Sequence, residues 1–265
     1  MSNSKSVFIT GAAAGIGRAT ALAFATRGYT VGAYDIDDAG LASLAEEIHL
    51  RHGKVVTGHL DVTNSGEMAH CIKEFVKAAG GRLDVMINNA GILFAGPFQD
   101  IALDKQLKQI DINTKGVVNG SYAAFPYLSA TPDSTVVNLA SASAIYGQAE
   151  LATYSASKFF VRGLTEALDI EWSTHGIRVL AMWPLYVQTV MTEGVSTGTT
   201  QSLGVNLTAQ DVADAIVAAV AGSRLRRALH QVHYPVGTQT KVMTLGSRFS
   251  PAWLSRTINK RLAKQ

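Results

Sequence analysis

Cysteine is almost missing from this chain. Cys71 stands alone among 265 residues, so no disulfide can form within it. A lone thiol fits a reducing compartment, and Cys71 reads as a small buried helix residue. No run of about 18 apolar residues occurs, which argues against a membrane-spanning helix. The polar start Met1-Ser2-Asn3-Ser4-Lys5 leads straight into an apolar run and leaves no room for the core of a secretion signal. A cytoplasmic protein is therefore expected. Proline is scarce at six residues, and Pro97, Pro126 and Pro132 are expected in loops or at helix ends. The seven histidines show no metal-ligand spacing, so no metal is expected; His230 and His233, three apart on an expected strand, would face opposite ways. Acidic residues stop at Asp214, while nine Lys/Arg follow it; with +3 overall, the rest of the chain carries 3 − 9 = −6. Positive charge confined to one end, with no base-reading motif, argues against a nucleic-acid binder.

What is present suits a globular enzyme. The length fits one domain at the upper end of the usual range, and 47% hydrophobic residues supply a large core. Short apolar runs at residues 7–10, 30–35, 55–60, 83–88, 135–139, 177–183 and 229–234 read as strands. Most lack alternation, as parallel strands buried on both faces do. Helical patterns fall between them, for example at 38–51, 64–79, 104–128, 152–175 and 209–221. The alternation predicts an α/β fold: a single-domain, Rossmann-type, doubly wound parallel sheet of about seven strands with helices on both faces. No internal repeat, low-complexity tract or linker interrupts it.

The first strand runs into Thr10-Gly11-Ala12-Ala13-Ala14-Gly15-Ile16-Gly17, and a helical pattern follows. A strand, a glycine-rich turn and a helix start make a phosphate site, because helix N-terminal amides point at the anion and glycine lets the backbone approach. On the glycines alone, a plain tight turn explains the motif equally well. The second strand ends at Asp35, 18 residues beyond Gly17. An acid there is where a dinucleotide fold holds the adenosine ribose hydroxyls. It also repels a 2′-phosphate, and no Arg or Lys stands at Ala14 or Ile36, so NAD is preferred over NADP. The alternative role for Asp35 is a helix cap, which Asp37 and Asp38 can already serve.

Tyr154 and Lys158 lie four apart, and on a helix they share one face. A neighbouring ammonium favours a phenolate, so the Tyr154 pKa is expected to fall from near 10 towards neutrality, where a tyrosine becomes a useful general acid/base. Spacing alone is weak evidence, since a helix with one aromatic and one solvated lysine reads the same way.

The ordered set of motifs resembles the short-chain dehydrogenase/reductase family in its compact single-domain branch. Thr10 to Gly17 matches T-G-x-x-x-G-x-G, Asn88-Asn89-Ala90-Gly91 matches N-N-A-G, and Tyr154 to Lys158 matches Y-x-x-x-K. Ser141, 13 residues before Tyr154, falls where the family has its serine, and Asn113 matches the asparagine of its tetrad. The resemblance runs from about Lys5 to Val220. It implies that Asn113, Ser141, Tyr154 and Lys158 are catalytic. It implies cofactor contacts from Gly11, Ala14, Gly15, Ile16, Gly17, Asp35, Ile36, Asp61, Val62, Asn89, Ala90, Gly91, Pro184, Val187 and Thr189, besides Tyr154 and Lys158. The implied reaction is hydride transfer between nicotinamide and a carbinol carbon. Tyr154 would handle the proton, Lys158 would hold the ribose, Ser141 would hold the substrate oxygen, and Asn113 would order a water. One position departs: the family's P-G is Pro184-Leu185 here, which forces a different path or sets an apolar wall against the ring or substrate.

Leu93, Phe94, Ile145, Tyr146, Gln148, Leu185, Tyr186 and Met191 are candidate substrate-pocket residues, and their apolar character favours a hydrophobic secondary alcohol or ketone. Several such residues could instead simply pack in the core. The alternatives are a carrier-linked 3-oxoacyl reductase of lipid metabolism and, as a lesser option, a non-catalytic dinucleotide sensor. Residues 192–207, rich in Gly, Ser and Thr, read as a mobile lid. Residues 1–237 form the expected Rossmann domain and 238–265 a basic helical extension, packed on the same domain or on a partner subunit. Contact of that extension with an anionic membrane surface or an acyl-carrier partner is the minor reading. The resemblance suggests a homodimer or homotetramer built through the helices at 104–128 and 152–175.

Overall fold

The computed structural model describes residues 4–192, 194, 197–222 and 230–263. Seven parallel strands form one sheet: β1 Ser6–Thr10, β2 Thr30–Asp35, β3 Lys54–His59, β4 Val85–Asn88, β5 Thr135–Leu139, β6 Arg178–Trp183 and, last along the chain, β9 His233–Pro235. Their order is β3-β2-β1-β4-β5-β6-β9. A separate two-stranded pair joins β7 Val187–Gln188 to β8 Leu207–Thr208. The helices are α1 Gly15–Ala25, α2 Asp38–Leu50, α3 Ser65–Ala78, α4 Leu103–Ile110, α5 Gly116–Ser129, α6 Ala152–Trp172, α7 Gly198–Leu203, α8 Ala209–Ala221, α9 Thr238–Phe249 and α10 Ala252–Leu262.

Side chains alternate across the sheet, so neighbours in one strand feed different cores. Val7 and Ile9 pack with Phe24, Leu44, Ile48 and Ile216 of α1, α2 and α8. Phe8, between them, stacks on Tyr34 at 4.3 Å and packs with Met68, Ile72, Phe75 and Leu128 of α3 and α5. Both faces are covered, which is why β1, β4 and β5 are wholly buried. The edge strand β3 is the exception: only partly buried, it departs from the continuous-burial expectation.

Differences from the sequence reading lie mainly at ends. Leu83 and Asp84 are buried but precede β4, because Asp84 instead accepts from Ser6 N–H at 2.8 Å and pairs with Arg82. The expected strand over 229–234 begins only at His233; His230 has a left-handed φ of 45°, and Leu229 lies outside the described residues. Pro126 sits inside α5, one turn from its end. Cys71 is only half-buried on α3. The helix expected over 104–128 is broken by a π-helical turn at Asp111–Lys115 between α4 and α5. Residues 192–207 include α7, closed by a capping box between Thr197 and Thr200; Glu193, Val195 and Ser196 of that loop lie outside the described residues.

Candidate active site

Strand order reverses between β1 and β4, and a doubly wound sheet opens its crevice there. Two motifs tie themselves together at that point. Thr10 Oγ1 accepts from the backbone N–H groups of Asn89 and Ala90, each at 3.1 Å. Asn89 Nδ2 donates to the Thr10 and Gly11 carbonyls, each at 2.9 Å. Gly11 turns at φ +67°, and a Cβ there would lie 2.8 Å from Ala90 Cα. A Cβ on Gly17 would lie 1.9 Å from the Gly11 carbonyl oxygen, so Gly17 serves close packing of α1 on the loop. The helix α1 starts at Gly15 with no side-chain cap and no acid in its first turn. Its amides are therefore left for an anion.

Two carboxylates flank this loop. Asp35 Oδ2 accepts from Ala13 N–H at 3.0 Å and Oδ1 from Asp37 N–H at 3.1 Å. The cap of α2 is Asp37, which accepts from Gly40 N–H at 3.0 Å. Asp61 Oδ1 accepts from Thr63 N–H at 2.9 Å and Thr63 Oγ1 at 2.8 Å. A carboxylate has about four acceptor positions, so both acids retain capacity for ligand hydroxyls.

The helix α6 brings Tyr154 and Lys158 to the crevice, and the end of β5 brings Ser141. Ser141 is buried and lines the same cleft as Tyr154. Its Oγ accepts from Ser143 N–H at 3.1 Å. Lys158 is buried, donates from Nζ to the Leu139 carbonyl at 2.8 Å, and sits 5.5 Å from the Tyr154 ring centroid. Burial pushes the Tyr154 phenol up to about 12, with the Ser141 side chain opposing. Burial lowers Lys158 to about 8. The expected downward shift of Tyr154 is thus reversed. Desolvation disfavours the phenolate, and the ammonium lies against the ring while spending a proton on Leu139.

Asn113, on the π turn, is buried with both amide atoms engaged. Its Oδ1 accepts from Ile92 N–H at 2.8 Å, and its Nδ2 donates to the Ile92 carbonyl at 2.9 Å and to Ser157 Oγ at 3.1 Å. The side chain therefore fixes the wall of the crevice at residue 92.

One cleft of about 450 Å³ gathers these groups. It is lined by Gly11, Ala14, Gly15, Ile16, Asp35, Ile36, Asp61, Val62, Asn89, Ala90 and Gly91, and by Leu93, Ser141, Tyr154, Lys158, Pro184, Leu185, Tyr186, Val187, Thr189 and Met191. Six other candidates stand back from it. Gly17 and Asn113 lie behind the wall as described. Ile145 packs against the Val117–Val161–Trp183 cluster. Gln148 is buried behind two lining residues, accepting on Oε1 from Ser143 Oγ at 3.3 Å and from the Tyr186 hydroxyl at 3.1 Å. Tyr146 and Phe94 do not line the cleft either; Phe94 N–H bonds to Gln109 Oε1 at 2.5 Å. Sequence reasoning missed Leu60, Ile92, Lys108, Ile112, Leu139, Ala140, Ser143, Val190 and Thr192, which also line it. Ser143 was within reach, two residues past Ser141 in Ser-Ala-Ser; Lys108, an exposed lysine on α4, carries no local signal. Leu185 is an apolar part of the lining.

A glycine-rich loop with uncapped helix amides, paired with a Ser–Tyr–Lys group across one cleft at the strand switch, defines a dinucleotide-dependent oxidoreductase type of site. The family model for short chain dehydrogenase matches residues 5–200. The 3-oxoacyl-[acyl-carrier-protein] reductase FabG of Thermotoga maritima is 38% identical over 194 residues, 71% of this chain and 76% of that protein. The cyclohexanol dehydrogenase of Acinetobacter sp. (strain SE19) is 31% identical over 188 residues, 71% of this chain and 74% of that protein. Among solved structures, a short chain dehydrogenase from Mycobacterium paratuberculosis bound to NAD superposes with a TM-score of 0.80 at 25% identity, over 89% of this chain and 98% of the other. The chain belongs to the short-chain dehydrogenase/reductase family of oxidoreductases.

Among the described residues, no group of three or more His, Cys, Asp or Glu could hold a metal ion, and no helix is long and apolar enough to cross a membrane.

Proposed function

We propose that this chain is an NAD-preferring oxidoreductase that interconverts an apolar secondary alcohol and its ketone, with Tyr154 as general acid/base. The observation that carries the reading is the meeting of Ser141, Tyr154 and Lys158 in one cleft, with buried Lys158 Nζ 5.5 Å from the Tyr154 ring centroid. The chain fits a dinucleotide on its own geometry. The amides of α1 are uncapped, a Cβ on Gly15 would crowd Thr189 at 3.2 Å, and Asp35 and Asp61 retain acceptors. Gly11 through Ile16 would cradle the pyrophosphate, Asp35 and Ile36 would meet the adenosine ribose, and Asp61 and Val62 would border the adenine. Asn89 to Gly91 with Pro184, Val187 and Thr189 would enclose the nicotinamide end. Bound there, the nicotinamide supplies the hydride acceptor or donor.

The residues supply the proton chemistry. With its pKa raised by burial, Tyr154 rests protonated at neutral pH, ready to donate to a ketone oxygen. Ser141 holds that oxygen by a second hydrogen bond, a small oxyanion site. In the oxidative direction Tyr154 takes the hydroxyl proton. Proton transfer of this type is worth about 10²–10⁴ in rate. Asp35 beside the loop supports NAD, because the only guanidinium on α1's first turns, Arg18, is committed to Glu47 and the Gly40 carbonyl on α2. Leu93, Leu185, Tyr186 and Met191 give the substrate end an apolar wall.

A carrier-linked 3-oxoacyl reductase is the second reading. It is favoured by the Thermotoga relative and opposed by Asp35, since a 2′-phosphorylated cofactor would meet a carboxylate. Initial rates with NAD and NADP over aliphatic, alicyclic and steroid alcohols, alongside a 3-oxoacyl thioester with the reduced cofactors, separate the two. Preference for NAD with alicyclic or aliphatic alcohols supports the first; efficient thioester reduction with NADPH and no alcohol oxidation overturns it. Exposed Leu107, Tyr122, Phe159 and Ile170 on α4, α5 and α6 support assembly into a homodimer or homotetramer, which sedimentation velocity tests.

A further inference from the structure

The last two helices leave large apolar side chains in solvent. On α9, Val242 and Leu245 are 67% and 64% exposed; on α10, Trp253 is 69% exposed and Ile258 47%. Each helix already has a packed side. Thr240 is buried on α9, and Leu254 and Leu262 are half-buried on α10. The chain just past α10 is anchored too: a Cβ on Gly198 would lie 2.0 Å from the Ala263 carbonyl oxygen. On α9, Val242 and Leu245 point away from Thr240; on α10, Trp253 stands off the Leu254–Ile258–Leu262 stripe, so these three side chains lie on faces that the core does not use.

Cations interleave with those faces. Lys241 adjoins Val242, and Arg256 and Lys260 follow Trp253 at helical spacing, with Arg261 alongside; all four are exposed. None of the ion pairs among the described residues includes them. The sequence offers no local acid to neutralise them, since none follows Asp214.

We propose that α9 and α10 dock this oxidoreductase on an anionic lipid surface. The apolar side chains enter the headgroup layer and the four cations meet lipid phosphates. Exposed Trp253, Val242 and Leu245, with Lys and Arg beside them on the same helix faces, are the chemistry of an interfacial helix. Charge complementarity selects the lipid over a second copy, because a two-fold contact would press this basic face against itself. The surface is also joined to the cleft. Ser202 Oγ on α7 donates to the Leu262 carbonyl at 2.8 Å, and Asn259 Nδ2 donates to the Gly147 carbonyl at 2.5 Å. The helix α7 in turn lies in the segment that follows the cleft residues Val190–Thr192. An apolar substrate dissolved in a bilayer suits an enzyme held at that surface.

The test is co-sedimentation of the full-length protein with vesicles of phosphatidylcholine alone or mixed with phosphatidylglycerol, at low and high salt. Binding to the mixed vesicles at low salt, lost at high salt, is expected, with a blue shift of fluorescence that disappears in Trp253→Phe. A variant combining Lys241→Glu, Arg256→Glu, Lys260→Glu and Arg261→Glu should bind at least about 100-fold more weakly, since each cation near an anionic surface is worth roughly five-fold. Val242→Ser with Leu245→Ser should weaken binding about ten-fold or more. Circular dichroism and sedimentation velocity report fold and assembly without reference to catalysis. Failure to bind either vesicle overturns the proposal, as does binding that ignores these substitutions. It is also overturned if the apolar variant changes only the oligomeric state, or if an acidic carrier protein binds this face while vesicles do not.

Discussion

Replacing Asp35 with asparagine removes a negative charge from the cleft yet keeps an acceptor for the glycine-rich loop. The second point matters because Asp35 already holds that loop, accepting from Ala13 N–H at 3.0 Å and from Asp37 N–H at 3.1 Å. Alanine would strip both bonds and leave the buried Ala13 N–H unpaired at about 1–3 kcal/mol, so lost activity would say nothing about cofactor choice. Asparagine retains the Ala13 bond once its amide oxygen turns towards the loop. For NADP the gain is relief of repulsion. Two unit charges about 4 Å apart interact by about 1 kcal/mol in water and about 4 kcal/mol at an effective dielectric of 20. Asp35 is half-buried at the cleft, so about 2 kcal/mol is the reasonable middle, or roughly 30-fold in kcat/KM. For NAD, losing a charge-assisted bond to the ribose costs about 1.5–3 kcal/mol, roughly 10–100-fold, and it should appear in KM. The ratio of kcat/KM for NAD over NADP should therefore fall by about 10³. Initial-rate kinetics with both cofactors measure this, and thermal unfolding checks the loop. A ratio within about three-fold of wild type, in a variant of unchanged stability, would show Asp35 to be a loop anchor and nothing more.

Tyr154→Phe should lower turnover by about 10²–10⁴ while cofactor affinity changes little. Its difference spectrum against wild type should show no Tyr154 phenolate until the pH nears 12, and a phenolate by pH 8 in the cofactor-free protein would refute the burial argument. Lys158 has a folded pKa of about 8 against 10.5 for a free lysine, so the unfolded chain binds more protons between those values. The burial cost is complete below pH 8 and fades as pH rises to 10.5; against Lys158→Met, wild type should gain about 3 kcal/mol across that window in urea unfolding, and a constant difference would refute the shift. Gly17→Ala drives a Cβ to 1.9 Å from the Gly11 carbonyl oxygen, which is backbone and cannot swing away. It should destabilise the fold by about 1–3 kcal/mol or more and abolish cofactor binding, measured by urea unfolding and fluorescence titration; a wild-type midpoint would refute the packing.

Most of the architecture was legible because it rests on local signals. Unbroken apolar runs gave β1, β2 and β5, and Asn64 heads α3 as a cap that accepts from Gly66 and Glu67 N–H. The glycines and Asn89 were legible as motifs, but their mutual purpose was not. That Asn89 clasps the Thr10 and Gly11 carbonyls is a contact across 78 residues or more, invisible to any window on the chain. The π turn at Asp111–Lys115 was hidden for a related reason. Its residues suit a continuous helix, and only tertiary demand selects the wider turn that buries Asn113. Gln148 and Ile145 sat within the right stretch of sequence, yet the 3₁₀ turn at Ala142–Ala144 sends one behind Ser143 and Tyr186 and the other into the core.

Tyr154 and Lys158 mark where sequence reasoning about charge runs out. Spacing places an ammonium near a phenol, and in water that alone would favour the phenolate. The fold adds two facts that spacing does not contain. It buries Lys158 and partly buries Tyr154, which lowers the amine and raises the phenol, and it directs Nζ to the Leu139 carbonyl. The protein alone therefore stores the proton on Tyr154, the state suited to reducing a ketone. Making that phenol a base for alcohol oxidation calls for additional positive charge near its hydroxyl, and the oxidised nicotinamide ring is a cation of that kind. The direction of proton transfer would then follow the redox state of the bound cofactor, with Lys158 holding position while its neighbour changes charge.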